Sequence, residues 1–125
     1  SRTKIAVFSN DPNVDPKGAC VGSRGSRVRQ IVNELKGEKL DVVEWREDKV
    51  RFIIEALGPA DIDEVILDED TKSAKVIVKD SQLSLAIGKE GQNARLAAKL
   101  TGYKIDIEGL GDSPPEEEEP TKEEE

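Results

Sequence analysis

The chain contains no histidine, no methionine and only one cysteine among its 125 residues. Without histidine it cannot form a Ser–His or Cys–His catalytic pair, nor a zinc site that uses an imidazole ligand. Cys20 cannot form an internal disulfide, and a lone thiol fits a reducing compartment, where it is usually a small buried apolar residue. We therefore expect no enzymatic activity, no catalytic residues, no metal site and no cofactor.

Aromatic residues and long apolar runs are also scarce. The chain has one Trp, one Tyr and two Phe, and it has no apolar run long enough to cross a bilayer. No signal-peptide pattern opens it, so we expect no membrane contact. Because methionine is absent, we expect residue 1 not to be a translation start and the chain to be a fragment of a longer protein. We expect this fragment to be monomeric.

Charge is distributed unevenly along the chain, whose net charge is −8. Eight of the 27 acidic residues and one of the 19 basic residues lie in residues 112–125, a segment that therefore carries −7. Residues 1–111 keep a net charge of only −1. A body this close to neutral can still present a basic face, provided that its lysines and arginines cluster.

A repeated motif organises these first 111 residues. Both copies read G-x-x-G with an arginine four residues after the second glycine, and they begin at Gly22 and Gly88, 66 residues apart. Each copy follows a predicted helix start, with Asp15 and Pro16 ahead of the first loop and Asp80 or Ser81 as the cap ahead of the second. A short motif that recurs in the same setting indicates a structural repeat.

A second helix is predicted after each loop. In the first copy Val28, Ile31, Val32 and Leu35 follow helical spacing and Gly37 ends the helix. In the second copy Leu96, Ala97 and Leu100 form a shorter stripe that Gly102 ends. Strand-like segments flank both helix pairs, at residues 3–8, 40–45, 75–78 and 103–107.

The sequence thus predicts an α+β fold with two units, each in the order strand, helix, G-x-x-G, helix, strand. We place the first unit in residues 1–46 and the second in residues 47–109. The second unit has room for an additional helix at residues 48–57 and a strand at 62–67 ahead of its core. The first unit either lacks these two elements or begins after them.

The loops themselves have the composition of a phosphate site. Glycine at both ends of a four-residue loop allows a tight turn between helices, and the following helix presents N–H groups and a positive dipole end to an anion. The candidate binding residues are Gly22, Ser23, Arg24, Gly25, Arg27 and Arg29 in the first unit, and Gly88, Lys89, Glu90, Gly91, Gln92, Asn93 and Arg95 in the second. An acid beside phosphate is unfavourable, so we expect Glu90 to point outward or to pair with a lysine.

This arrangement resembles the KH domain, whose GXXG loop clamps about four nucleotides of RNA backbone. In that family the bases lie in a groove between the helices and the adjoining strand, without aromatic platforms. The scarcity of aromatic residues disfavours an RRM sheet or an OB surface, which stack bases on aromatic rings. The extra helix and strand match the type II order of KH elements. The resemblance implies two tandem type II KH domains with small sheets covered by helices, the first truncated at its N-terminus.

Longer motifs resemble the tandem KH region of the NusA family of bacterial transcription factors. They are NDPNVDP at residues 10–16, GACVG at 18–22, QLSLAIGK at 82–89, GQNARLA at 91–97 and TGYKIDI at 101–107. The resemblance implies a cytoplasmic factor that associates with RNA polymerase through its parent protein, contacts the nascent transcript and modulates pausing, termination and antitermination. It also implies that the two KH units pack as one body, with RNA extended across both. Trp45 then either packs their junction or is a partly buried residue at a strand end.

We therefore expect binding of single-stranded RNA, with a footprint of about eight nucleotides from about four per unit. One alternative is a protein–protein scaffold in which RNA is incidental. Another is a KH module from a ribosomal protein or a ribosome-assembly GTPase, which the tandem repeat and residues 92–95 disfavour. We expect residues 110–125 to form a disordered acidic tail. A sharper hypothesis is that this tail competes with RNA for the basic loops.

Overall fold

The first half of the chain folds around two parallel strands. The computed structural model describes residues 2–111. The elements of the first half are β1 (Arg2–Val7), α1 (Pro16–Val21), α2 (Ser26–Glu34) and β2 (Lys39–Glu44). β1 pairs with β2 in parallel, as a helical crossover connection requires. The predicted start of α1 is confirmed, since the Asp15 carboxylate accepts a hydrogen bond of 3.1 Å from the Gly18 amide.

The second half repeats this order and adds a helix and a strand ahead of it. Its elements are α3 (Lys49–Ala56), β3 (Glu64–Asp68), β4 (Ser73–Val78), α4 (Asp80–Ile87), α5 (Gln92–Thr101) and β5 (Lys104–Gly109). β3 pairs antiparallel with β4, and β4 pairs in parallel with β5. The extra α3 and β3 thus occur in the predicted type II order. None of the helices in residues 2–111 is long and apolar enough to cross a bilayer.

The predicted start of α4 was wrong by one or two residues. The residue that precedes the helix is Lys79, which makes no side-chain capping bond, whereas the sequence predicts Asp80 or Ser81. Asp80 lies instead in the first turn, where its charge faces the positive end of the helix dipole. Its carboxylate also accepts a hydrogen bond of 3.1 Å from the Gly111 amide.

The hydrogen bond between Gly111 and Asp80 joins the beginning of the predicted tail to the folded part. The amide of Leu110 donates to the carbonyl oxygen of Val78 at 2.9 Å, so the chain continues alongside β4 after β5 ends. Residues 110–111 therefore belong to the folded part. The rest of the predicted tail, residues 112–125, lies outside the described residues.

The main hydrophobic core lies in the second half. Its largest fully buried side chains are those of Ile53, Leu57, Val76 and Val78. α3 packs against α5, and both helices contribute a completely buried alanine, Ala56 and Ala97. The additional helix α3 therefore supplies much of the apolar surface that covers the three-stranded sheet and α5.

α2 lacks such a cover among the described residues. Ile31 and Leu35, from its predicted apolar stripe, are 39% and 46% exposed. The position that corresponds to Ile31 in the second unit is Ala97, which is 0% exposed. The stripe correctly predicts the helix, but no helix of residues 2–46 lies where α3 lies in the second half, so the stripe stays half-covered.

The two halves contact each other through the sheet of the first and two helices of the second. β1 contacts α5, and β2 contacts α3. The Lys4 side chain, 1% exposed, donates to Asp41 at 3.0 Å and to the carbonyl oxygen of Gly58 at 3.2 Å. Arg2 also pairs with Asp41. A charge this deeply buried needs such partners, because its hydration is lost on folding.

Trp45 also lies at this contact. Its ring centroid is 5.4 Å from that of Phe8 and 6.4 Å from that of Phe52 on α3. The side chain nevertheless remains 37% exposed. Both predicted descriptions of Trp45 therefore apply, because it follows the end of β2 and packs against the second half from there.

Candidate nucleic-acid interface

The two G-x-x-G segments have the same backbone conformation. We call residues 22–25 loop 1 and residues 88–91 loop 2. Their first glycines have φ of 80° and 82°, and their second glycines both have φ of 75°. The third residue of each loop is left-handed, with φ of 52° at Arg24 and 57° at Glu90. The internal repeat is therefore a repeat of three-dimensional structure.

Both the backbone angle and the available space require glycine at the first loop position. A Cβ atom on Gly88 would lie 2.7 Å from the backbone nitrogen of Asn93, and one on Gly22 would lie 2.9 Å from that of Arg27. The start of each loop thus passes close to the first turn of the next helix. The amide groups and positive dipole end of that turn favour an anion in this place.

The two middle residues of each loop project into solvent. Ser23 and Arg24 of loop 1 and Lys89 and Glu90 of loop 2 are all exposed. Arg24 and Lys89 therefore present one positive charge per loop to an approaching ligand. The Glu90 carboxylate forms no ion pair with any residue of the described chain, so of its two predicted placements the structure has the outward one.

The arginine after each loop folds back onto it. Nη1 of Arg29 donates a hydrogen bond to the carbonyl oxygen of Arg24, and Nη1 of Arg95 donates to the carbonyl oxygen of Glu90. Arg29 and Arg95 are nevertheless exposed residues. In both copies the arginine lies one helical turn beyond the loop, at the position that the motif spacing gives. The repeat therefore includes this side-chain contact.

Arg27 and Asn93 occupy corresponding positions but differ in burial. Arg27 is exposed and donates to the carbonyl oxygen of Ala19 at 3.0 Å. Asn93 is 8% exposed, and its amide nitrogen donates to the carbonyl oxygens of Leu57 at 3.0 Å and Ala86 at 2.9 Å. Asn93 therefore joins α5 to the end of α3 and to α4, a structural role that its position in the motif does not indicate.

A cleft of about 850 Å³ runs between the two halves and brings the loops to one surface. Gly25 and Arg29 line it from the first unit, and Gly88, Lys89 and Gln92 line it from the second. Asn93 forms part of the same wall. Candidate residues from both predicted sites thus meet in one cleft, whereas the other candidates do not line it: Gly22, Ser23, Arg24, Arg27, Glu90, Gly91 and Arg95.

Several residues of this cleft were missed by sequence reasoning. They are Arg2, Lys17, Lys39 and Leu40, from β1, α1 and β2. The groove between helices and strand that the KH resemblance implies could have indicated β2. No local pattern singles out Arg2 or Lys17, because the fold alone brings their elements to the loop.

The cleft is more basic than the molecule as a whole. Five basic and two acidic residues line it, which gives the lining a formal net charge of +3. One of the acids, Asp41, is paired with Arg2, which is one of these five bases, and with the buried Lys4. The nearly neutral body therefore does concentrate basic residues around one concave surface.

Comparison with known proteins matches both halves of the chain. Residues 1–45 match the profile of the NusA-like first KH domain, and residues 49–114 match that of the NusA-like second KH domain. A solved structure, that of APE1850, superimposes with a TM-score of 0.62 at 24% identity, covering 86% of this chain and 78% of that one. The latter similarity concerns the fold alone.

Curated relatives carry the same family name. The transcription termination/antitermination protein NusA of Bacillus subtilis is 60% identical over 112 residues, which are 90% of this chain and 30% of the relative. The proteins of that name from Mycobacterium bovis and Rickettsia prowazekii are 54% and 49% identical, over 91% and 86% of this chain and 33% and 22% of theirs. The chain thus spans about a third or less of these relatives. The α+β fold predicted as two tandem KH domains is confirmed, and the chain belongs to the NusA family as its tandem KH region.

Proposed function

We propose that this chain binds single-stranded RNA through loops 1 and 2. The observation that carries the proposal is that two loops of closely similar conformation both contribute residues to the lining of one basic cleft, Gly25 from loop 1 and Gly88 and Lys89 from loop 2. The relatives are named transcription termination/antitermination proteins. We extend the proposal accordingly to a NusA-like factor that contacts the nascent transcript, works with RNA polymerase through its parent protein and modulates pausing, termination and antitermination.

In this proposal each loop holds backbone phosphate. A phosphate group approaches the glycine-rich backbone and the amino-terminal end of α2 or α5, where the helix dipole favours negative charge. Arg24 and Lys89 add a side-chain charge to each loop. Phosphate contacts of this kind supply affinity and position the strand without reading its sequence.

The bases would lie along the cleft wall rather than on aromatic rings. Val21, Val28 and Leu40 line the cleft beside loop 1, and Leu85 lines it beside loop 2. These side chains offer apolar contact to base faces, and backbone groups of β2 lie next to them. Paired bases cannot enter such a groove, so single-stranded RNA should bind more tightly than a duplex.

A charge-reversal experiment tests this function. The variant Arg24→Asp with Lys89→Asp changes one exposed residue in each loop, and aspartate tolerates the left-handed conformation at position 24. The matched control, Lys99→Asp with Lys104→Asp, makes the same change in net charge at two exposed residues that lie outside both loops and outside the cleft lining. We expect the loop variant to lose about tenfold or more in affinity for a short unstructured RNA, and the control to lose much less.

The same titrations at several salt concentrations give a second reading. For about four phosphate contacts the log–log slope of the parent chain should be about −3, and it should be shallower in the loop variant. Circular dichroism establishes that the variants are folded. A folded loop variant that binds RNA as tightly as the parent would exclude the clamp mechanism and favour a protein-scaffold function.

A further inference from the structure

One side-chain contact is repeated in both units and is not explained by phosphate binding. Arg29 and Arg95 each donate from Nη1 to the carbonyl oxygen of the third residue of the preceding loop. The corresponding atoms are the same in both cases, although the two loops differ in sequence. A long flexible side chain that adopts the same bond twice is held there by a common requirement of the loop.

That requirement lies in the residue which accepts the bond. Arg24 and Glu90 are the third residues of their loops, and both have positive φ, in a region that residues with a Cβ atom rarely occupy. The unfavourable conformation persists only where the surroundings hold it. A backbone hydrogen bond closes each loop, from the Gly25 amide to the carbonyl oxygen of Gly22 at 3.2 Å and from the Gly91 amide to that of Gly88 at 3.0 Å. The guanidinium group adds a side-chain bond to the carbonyl oxygen of the residue with positive φ.

The second glycine of each loop lies next to this guanidinium group. A Cβ atom on Gly25 would lie 3.4 Å from Nη1 of Arg29, and one on Gly91 would lie 3.3 Å from Nη1 of Arg95. The guanidinium group thus lies against the second glycine while it bonds the carbonyl oxygen of the third loop residue. Glycine and arginine, four residues apart, act as one unit in both copies.

We infer that Arg29 and Arg95 are positioning residues, which hold the third loop residue in its left-handed conformation and so keep the loop ready for phosphate. This inference rests on the proposed RNA binding and assigns the two arginines a different part in it from Arg24 and Lys89. Removing the arginine leaves a loop that is in its binding conformation only part of the time. The apparent affinity then falls by that fraction, because only the competent population binds.

Glycine provides the sharpest test of this assignment. It adopts positive φ without a steric penalty, so a loop with glycine at its third position no longer needs the arginine. The test compares Arg95→Gln alone, Arg95→Gln with Glu90→Gly, and Arg95→Gln with Glu90→Gln. The last variant removes the charge of Glu90 as the glycine does but keeps a side chain, which separates charge from conformation. Glu90→Gly and Glu90→Gln alone complete the two cycles.

We expect Arg95→Gln to weaken RNA binding about fivefold, as a loop that is competent about a fifth of the time would. The log–log salt slope should not change, because no phosphate contact of this side chain is lost. Glu90→Gly should restore the binding that Arg95→Gln removes, and Glu90→Gln should not. Arg29→Gln, paired with Arg24→Gly and Arg24→Gln, repeats the test independently in loop 1.

Hydrogen exchange of the loop amides in the free 125-residue chain provides a reading that does not need RNA. Arg95→Gln should speed exchange in residues 88–91, and Arg95→Lys should do so too. Adding Glu90→Gly to Arg95→Gln should slow this exchange back towards the parent rate, whereas adding Glu90→Gln should not. If the parent chain does not bind RNA but the exchange changes as described, the proposed function fails while the positioning role stands. A salt slope that becomes shallower by about 0.7, with no rescue by glycine, would make Arg95 a phosphate ligand and overturn the inference.

Discussion

At the scale of single residues, the loops depend on positions where only glycine fits. Gly88 combines a φ of 82° with a distance of 2.7 Å from its would-be Cβ to the backbone nitrogen of Asn93. Gly102, at the end of α5, has a similar φ of 79° but no atom within 4 Å of that position. The two glycines therefore separate the cost of an unfavourable backbone angle from the cost of a steric clash.

Replacing each of these glycines by alanine should show that difference. We expect Gly88→Ala to lower the free energy of unfolding by about 2–4 kcal/mol, since backbone strain and overpacking both contribute. Gly102→Ala should lower it by about 1 kcal/mol, from the backbone angle alone. Urea denaturation measures both values. Equal losses in the two variants would mean that loop 2 relaxes and that the close approach of its backbone is not required.

Asn93 shows where residue-level prediction from sequence ends. The motif identifies it as a candidate RNA contact, which remains a prediction, and the structure shows in addition that its amide nitrogen is committed to two buried carbonyl oxygens. One of them, on Leu57, is 36 residues away in the chain. No local pattern can indicate a partner at that distance, whereas the capping of α1 by Asp15, three residues from its partner, follows directly from sequence.

At the scale of elements, the two helices that follow the loops are equivalent in position but not in environment. α5 is covered by α3, and its Ala97 is completely buried. The corresponding Ile31 on α2 is 39% exposed. Helical periodicity predicts both helices equally well, because both stripes have the right spacing. It cannot predict which stripe is covered, since that depends on an element in a different part of the chain.

Substituting glutamine, a good helix former, tests this difference without changing helix propensity much. We expect Ala97→Gln to lower the free energy of unfolding by about 2 kcal/mol or more, because a larger polar side chain must enter a packed contact. Ile31→Gln should cost less than about 1 kcal/mol, as is usual for partly exposed positions. A large loss from Ile31→Gln, measured in the same urea titrations, would show that the face of α2 is covered in solution.

At the scale of the whole molecule, the contact between the halves decides how the loops are related. Lys4 is central to it, because its buried ammonium group bonds Asp41 in its own sheet and the carbonyl oxygen of Gly58 in the second half. Sequence reasoning recovered both units and the order of their elements. It could not locate this contact, because a lysine in a strand pattern looks like any solvated charge until the partner surface is known.

Lys4→Met should weaken this contact while keeping a side chain of similar length. We expect a loss of about 1–3 kcal/mol in the free energy of unfolding, since the carbonyl oxygen of Gly58 and the Asp41 carboxylate both lose a buried donor. Lys104→Met, at an exposed position on β5, is the control and should change stability little. Amide relaxation by NMR should show the halves of the Lys4→Met variant reorienting more independently. Unchanged relaxation and stability would mean that apolar packing alone holds them.

Because both loops contribute to the cleft between the joined halves, RNA bound as proposed would meet one bivalent receptor rather than two independent sites. For RNA bound as proposed, a strand released by one loop stays near it at a high effective concentration while the other loop holds on. Complete departure requires both loops to be empty at the same moment. An RNA long enough to reach both loops should therefore dissociate much more slowly than one that reaches a single loop. Its association rate constant should differ far less.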